Sequence, residues 1–297
     1  MTGKILSPAK INLFLHVTGR RPDGFHELFS LMAPIELCDH IDMDFSGQGI
    51  DVSCDHPDVP DGAANLAHRA ALLFSDAFAE KRGARPFDGL KIFIRKKIPV
   101  GGGLGGGSSN AASVLLALNR RENHLFSSGQ LMHLGLSLGA DVPFFIGRGP
   151  AFASGIGERL TPCPDLPGYW VVVCSPGVSA STVKVFKKLG FGLTFTPKYI
   201  KNTGSNSLPA GQELSGGEVL QNDLEDPACR LYPEIGSTKK EMAFLLQRNV
   251  YMSGSGSSLF ALYSDHDAAK AGFERLSRAW AGSRQQVFLT RIGQNRR

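Results

Sequence analysis

Between Pro99 and Asn110 the chain reads Pro-Val-Gly-Gly-Gly-Leu-Gly-Gly-Gly-Ser-Ser-Asn, with six glycines in the seven positions from Gly101 to Gly107. Glycine lets a backbone approach a bulky anion closely and turn its N–H groups toward it. A helix beginning near Ser108 adds the positive end of its dipole. The chemistry implied is the cradling of phosphate, against the alternative of a tightly turning loop with no ligand. Asp141 is a second candidate, a carboxylate set among Gly139, Ala140, Val142, Pro143 and Phe144. In apolar surroundings a carboxylate needs a partner, and a lysine is the simplest one. Lys10 is a candidate for that partner, the alternatives being a turn or N-cap aspartate and a surface lysine. His16 and His26 stay open between structural and catalytic roles, and Phe25 reads as a core or rim aromatic.

The loop is not a Walker A sequence, because Ser108 and Ser109 follow the last glycine where Lys-Ser/Thr is required. Gly101, Gly103 and Gly106 satisfy G-x-G-x-x-G, but a dinucleotide site needs an acid on the next strand, and Glu122 falls at an apparent helix end. There is no G-x-S-x-G elbow, H-E-x-x-H helix or H-R-D signature, which removes the common hydrolase, metalloprotease and protein-kinase readings. A second small-residue loop, Ser253-Gly254-Ser255-Gly256-Ser257-Ser258, reads equally as a hairpin turn or as a functional loop.

These residues need elements to position them. From Lys10 to Thr18, Ile11, Leu13, Leu15 and Val17 alternate with Asn12, Phe14, His16 and Thr18 at a strand period, so Lys10, Asn12 and Phe14 share the opposite, polar face. Arg20-Arg21-Pro22-Asp23-Gly24 is a turn leading into Phe25-His26-Glu27-Leu28. Ile41, Met43 and Phe45 predict a half-exposed strand. Asn65 caps a helix that Gly83 closes, Leu90 to Ile94 is a strand, and Ser108 or Ser109 caps the helix after the glycine loop. A further helix spans about Gln130 to Leu138. The pattern restarts with a strand at Val171 to Cys174 and a helix from about Ser181 to Leu189. After a Thr/Ser/Gly/Pro/Asn-rich stretch at 192–217, read as a mobile excursion, come helix (239–246), strand (250–253), strand (258–263), helix (267–280) and strand (286–291). That order fits a split βαβ, ferredoxin-like layer. The fold class is α+β, with a domain boundary near Gly155 to Leu166 that divides the chain into 1–158 and 159–297.

Composition sets the outer bounds. The 297 residues are 42% hydrophobic and 20% charged, within the range of folded globular proteins. Lys plus Arg number 32 against 27 for Asp plus Glu, a net charge of +5 that suits an anionic partner without naming nucleic acid. The basic run Arg95–Lys97 and the acidic stretch Asp39, Asp42 and Asp44 are each no more than a solvated face carries. Cys38, Cys54, Cys163, Cys174 and Cys229 form no C-x-x-C pair, so they read as reduced structural thiols. Met1 to Lys10 lacks a secretory signal and the longest apolar runs, such as Trp170 to Cys174, are too short for a membrane span, so a cytoplasmic protein is expected.

Taken together, Pro8-Ala9-Lys10-Ile11-Asn12-Leu13, Arg21-Pro22-Asp23-Gly24-Phe25-His26-Glu27-Leu28, Ile98 to Ala112, Gly139-Ala140-Asp141-Val142-Pro143-Phe144, Asn222-Asp223-Leu224-Glu225 and Ser253 to Leu259 resemble the superfamily of galactokinase, homoserine kinase, mevalonate kinase and phosphomevalonate kinase. The resemblance implies two domains of the GHMP-kinase architecture. One is an N-terminal ATP-binding domain like domain 2 of ribosomal protein S5, and the other is a C-terminal ferredoxin-like substrate domain. The R-P-D-G-aromatic-H-E-L and G-A-D-V-P-F strings point to the branch acting on a cytidine-linked substrate. The implied activity is ATP-dependent phosphorylation of the 2-hydroxyl of 4-diphosphocytidyl-2-C-methylerythritol, in the non-mevalonate route to isoprenoid precursors.

By the same resemblance Asp141 takes the hydroxyl proton, and Lys10 orients Asp141 and the hydroxyl. Gly101, Gly102, Gly103, Leu104, Gly105, Gly106, Gly107, Ser108 and Ser109 wrap the ATP phosphates, Pro99 also binds ATP, and Asn65, Leu66 and Lys96 belong to the adenine pocket. Phe25 and Phe186 stack on the cytosine, His26 contributes through its main chain, and Asn12 meets the erythritol end. Magnesium bridges the phosphates, with its protein ligand unknown. Many members carry tyrosine where Phe25 stands, a change that leaves the stack, and aspartate where Asn110 stands, so Asn110 offers no carboxylate to a metal. The expected partners are the two small molecules, with neither nucleic acid nor membrane, in a monomer or weak homodimer. The competing readings are a homoserine or mevalonate kinase, which has no base to stack on Phe25, and a binding protein that has lost turnover, which has no need of Asp141. A nucleic-acid binder is the third, and it would bind with steep salt dependence.

Overall fold

The structure, a computed structural model, describes residues 4–163, 166–189 and 220–293. The 192–217 stretch lies outside these residues, apart from which the chain divides into two compact units that interleave along the sequence. One contains Met1–Ala9, Leu37–Val100 and Gly105–Arg148; the other contains Lys10–Glu36, Gly101–Leu104 and Gly149–Arg297.

The first unit is built on a βαβ turn. Strand β3 (Gly49–Cys54) runs parallel to β4 (Gly89–Arg95), and α1 (Leu66–Arg82) makes the crossover that parallel strands require. The second half of β2 (His26–Asp44) pairs antiparallel with β4, Ile41 opposite Ile94 and Met43 opposite Ile92. Helices α2 (Gly106–Arg121), α3 (Ser128–Leu136) and α4 (Val142–Gly147) complete it. Ile41, Ile92, Ile94, Phe74, Leu115 and Leu118 are buried in this unit, and Phe126 packs edge-on against Phe74 with ring centres 5.5 Å apart. Asn65 caps α1 and Gly83 closes it at φ 77°, as the residue types require.

In the second unit, the first half of β2 pairs with β5 (Ala151–Gly155), which pairs with β6 (Arg159–Pro162). Strand β1 (Ile5–Arg20) pairs with β2. A separate antiparallel sheet has the order β10-β7-β9-β8, from β7 (Trp170–Ser175), β8 (Tyr251–Met252), β9 (Leu259–Tyr263) and β10 (Gln286–Arg291). Helices α5 (Thr182–Lys188), α6 (Glu225–Leu231) and α7 (Pro233–Leu246) lie between β7 and β8 in sequence, and α8 (His266–Ala279) lies between β9 and β10. This is the split βαβ, ferredoxin-like order. Its apolar interior holds Val172, Cys174, Met242, Met252, Leu259 and Leu276. Burial pushes the Cys174 thiol up to about 12, since a thiolate has no solvation there. Alkylation at pH 8 is expected to spare Cys174 in the native protein and to label it after denaturation; equal labelling in both states would contradict its placement.

Three expectations need correction. The alternation in β1 distinguishes two faces, but neither is solvated: Lys10, Asn12 and Phe14 are only 5%, 3% and 4% exposed. The polar groups are tolerated because they bond one another, as described below. Helix α2 starts at Gly106, with Gly105 as its N-cap, rather than at Ser108 or Ser109. Asp39 and the Lys96 side chain, read as parts of solvated charge runs, are buried against each other. No helix among the described residues is long and apolar enough to cross a membrane.

Candidate active site

The glycine loop is held by its carbonyl groups. Gly101 O accepts from Ala180 N at 3.3 Å, Gly102 O from Ser258 N at 3.0 Å, and Leu104 O from Lys10 N at 2.9 Å. Gly103 O accepts from Ser253 Oγ at 3.1 Å. Four successive carbonyls are thereby committed to the second unit. The backbone alternates through the left-handed region, with φ 68° at Gly101, 73° at Gly103 and 71° at Gly105. Such alternation gathers successive N–H groups into an anion-binding concavity. Space dictates glycine as well: a Cβ on Gly103 would fall 2.4 Å from Ser253 O and 2.9 Å from Gly256 O.

The Ser-Gly loop is thus the bed on which the glycine loop rests. It closes on itself through Ser253 N to Ser258 O at 2.9 Å and Gly256 N to Ser253 O at 3.0 Å. Asn222 Nδ2 ties it down by donating to Met252 O at 2.9 Å and Gly254 O at 2.7 Å. Ser253 Oγ also accepts from Asn12 N at 3.2 Å, linking β1 to the glycine loop through one hydroxyl. On β1, Lys10 Nζ donates to Asn12 Oδ1 at 2.5 Å, and Asn12 Nδ2 donates to Ser30 Oγ at 2.8 Å. A Cβ on Gly254 would lie 3.2 Å from Gly103 O, 3.3 Å from Asn12 Oδ1 and 3.6 Å from Lys10 Nζ. Lys10, Asn12, Gly103 and Ser253 therefore form one cluster. Ser253 is the member that its own residue type did not single out; its signal was the small-residue loop around it.

In the first unit, α1 and α3 start on side-chain caps, whereas α2 and α4 do not. Asn65, Ser127, Ser181 and Asp265 place a side-chain oxygen on the first turn of α1, α3, α5 and α8 respectively. At α2 the cap is Gly105, which has no such oxygen. The first N–H groups of α2 are left to other acceptors, and the dipole favours an anionic one. Leu66 reaches this turn, since a Cβ on Gly107 would sit 3.4 Å from Leu66 Cδ1. Asn65 spends its side chain on Ala67 N (2.9 Å) and Pro60 O (2.8 Å). Lys96 Nζ stands beside Gly106 while paired with Asp39. Pro99 lies half-buried between β4 and the loop, and Ser108 is half-buried in the first turn of α2. A Cβ on Gly139 would come 3.6 Å from Ser108 Oγ, so the Gly139-Ala140-Asp141 turn neighbours that first turn. Asp141 precedes α4, but its carboxylate makes no capping bond to that helix.

The Arg21–Phe25 turn closes through Arg21 N to Phe25 O at 2.7 Å and Gly24 N to Arg21 O at 3.0 Å. It leaves Phe25 59% exposed. Phe186 on α5 stacks on the His26 ring, with centres 5.1 Å apart. Burial, and then the charge of Arg20, hold the His26 imidazole below its ordinary pKa. Among the described residues no group of three or more His, Cys, Asp or Glu is placed to hold a metal ion.

The GHMP kinases N terminal domain matches residues 65–149, and the GHMP kinases C terminal domain matches 208–282. The chain is 40% identical over 284 residues to a 4-diphosphocytidyl-2-C-methyl-D-erythritol kinase of a Geobacter species, covering 93% of this chain and 96% of that one. It is 44% identical over 275 residues to the enzyme of that name from Syntrophotalea carbinolica, covering 92% and 93%. A crystal structure of 4-(cytidine 5'-diphospho)-2C-methyl-D-erythritol kinase superposes with a TM-score of 0.75 at 39% identity, over 98% of this chain and 100% of that one. A homoserine kinase from Cytophaga hutchinsonii shares the fold, with a TM-score of 0.74 at 19% identity over 98% and 95%. With identities of this size over nearly the whole length, the chain belongs to the 4-diphosphocytidyl-2-C-methyl-D-erythritol kinases within the GHMP kinases.

Proposed function

We propose that the chain transfers the γ-phosphoryl group of ATP to the 2-hydroxyl of 4-diphosphocytidyl-2-C-methyl-D-erythritol. The observation that carries the phosphate part of this reading is the glycine loop: its carbonyls are already taken up by hydrogen bonds, and it leads into a helix start that no side chain caps. Phosphoryl transfer asks mainly for in-line positioning and charge stabilisation. The N–H groups from Gly101 to Ser109 meet the phosphates, with Asn65, Leu66, Lys96 and Pro99 around the rest of the nucleotide.

Asp141 accepts the proton of the 2-hydroxyl as its oxygen bonds to phosphorus and the bond to ADP breaks. Lys10 supplies positive charge for the transferring group, with Asn12 fixing its ammonium and meeting the erythritol end. Phe25, with its exposed ring, stacks on the cytosine, together with Phe186; His26 contributes its main chain. Magnesium, when bound with the nucleotide, would offset the negative charge of the phosphates.

The test is ADP release with ATP, magnesium and each acceptor in turn. Turnover is expected with the cytidine compound and not with homoserine or mevalonate. Turnover with homoserine or mevalonate alone would overturn the assignment of acceptor, and saturable ATP binding without any turnover would point to a binding protein.

A further inference from the structure

Asp39 stands on β2 one residue beyond its last ladder pair with β4, His40 opposite Arg95. Past Arg95 the chain leaves the sheet for the glycine loop, and its N–H groups lose their ladder acceptors. The Asp39 carboxylate takes them over: Oδ1 accepts from Lys97 N at 2.8 Å and from Ile98 N at 2.9 Å. Oδ2 accepts from Lys96 Nζ at 2.5 Å and from Asn110 Nδ2 at 3.0 Å. Asn110, in the second turn of α2, donates as well to Ser7 Oγ at 2.9 Å, and Ser7 Oγ donates to Ser109 Oγ at 2.8 Å. Asp39, Ser7, Ser109 and Asn110 are all buried, and the Lys96 side chain is 5% exposed.

One buried carboxylate thus joins three parts of the nucleotide site: the strand exit that leads into the loop, the Lys96 ammonium beside Gly106, and the first two turns of α2. A buried charge with four donors resists displacement, because moving any donor leaves polar groups unpaired away from water. The amide at 110 suits this arrangement, since a carboxylate there would face Asp39 at contact distance and repel it.

We propose that Asp39 is a positioning residue for the nucleotide. From beneath the surface it fixes Lys96 and the N-terminal turns of α2 where the nucleotide needs them, so affinity for ATP depends on a buried group. This rests on the phosphate reading given above, and the experiment separates the two. ADP binding by calorimetry and steady-state kinetics are measured on the wild type, Asp39→Asn, Lys96→Met and the double variant. Asp39→Asn keeps the shape but removes the charge. It is expected to weaken ADP binding roughly tenfold and to raise KM for ATP in step, with kcat and KM for the acceptor little changed. The double variant should be no worse than the weaker single one, because the two residues act as a pair.

If Asp39→Asn lowers the melting temperature but binds ADP like the wild type, Asp39 is structural only and the proposal fails. If the wild type itself does not bind ADP, the kinase reading fails instead. Should Asp39→Asn not fold, Asn110→Ala cuts the link from Asp39 to α2 and leaves the Lys96 pair in place; unchanged ADP affinity in that variant would equally overturn the proposal.

Discussion

Asp141→Asn is expected to lower kcat roughly 10²–10⁴-fold, the range that a positioned general base contributes, with KM for ATP and for the acceptor little changed. Asparagine has the same shape, so sterics are preserved. The start of α4 should not depend on the charge, because the carboxylate does not cap that helix and the turn before it is closed by backbone, Val142 N to Gly139 O at 3.1 Å. Kinetics beside a thermal melt check both halves. A near-normal kcat defeats the assignment of the base, and a large fall in melting temperature would mean that the residue holds structure rather than a proton.

Gly103→Ala should abolish most nucleotide binding by a different route. The new methyl would stand 2.4 Å from Ser253 O and 2.9 Å from Gly256 O, both backbone atoms of the loop beneath. Neither can rotate aside as a side chain can. Overpacking of this kind costs about 1–3 kcal/mol, which corresponds to roughly 5–150-fold in affinity where the displaced element is the binding loop. Gly282→Ala is the control: it has φ 76° but nothing within 4 Å of the added Cβ, so it carries the left-handed strain without the clash. ADP titration of the two variants should separate them, and equal affinities would show that the contact with the Ser-Gly loop does not set the geometry of the cradle.

Local signals made much of this readable from the residues. Caps and glycine stops bounded α1, and the order of strands and helices from Trp170 onward gave the ferredoxin-like layer. Where the reading went astray, the missing quantity was what covers a face. The alternation of β1 separates Lys10 and Asn12 from Ile11 and Leu13 but is silent about whether the polar side meets water or Ser30 and Ser253. Asp39 is grouped with Asp42 and Asp44 by residue type alone, whereas the period of two along β2 places it on the buried face of Ile41 and Met43. Its partners Lys97, Ile98 and Asn110 lie 58 to 71 positions away in sequence. Gly105 carries no side-chain oxygen, the usual sign of a cap, so residue types do not reveal that α2 starts at Gly106.

The commitment of the Gly101–Leu104 carbonyls has a thermodynamic side. Fixing a backbone residue costs about 1–2 kcal/mol of conformational entropy, and for glycine the loss is largest. In this chain that loss is met as the chain folds, when Ala180, Ser258, Ser253 and Lys10 engage the loop, rather than when a nucleotide arrives. The amide protons of Lys10 and Ser258 should accordingly exchange slowly with deuterated water even without nucleotide, and the ligand should find a receptor already ordered.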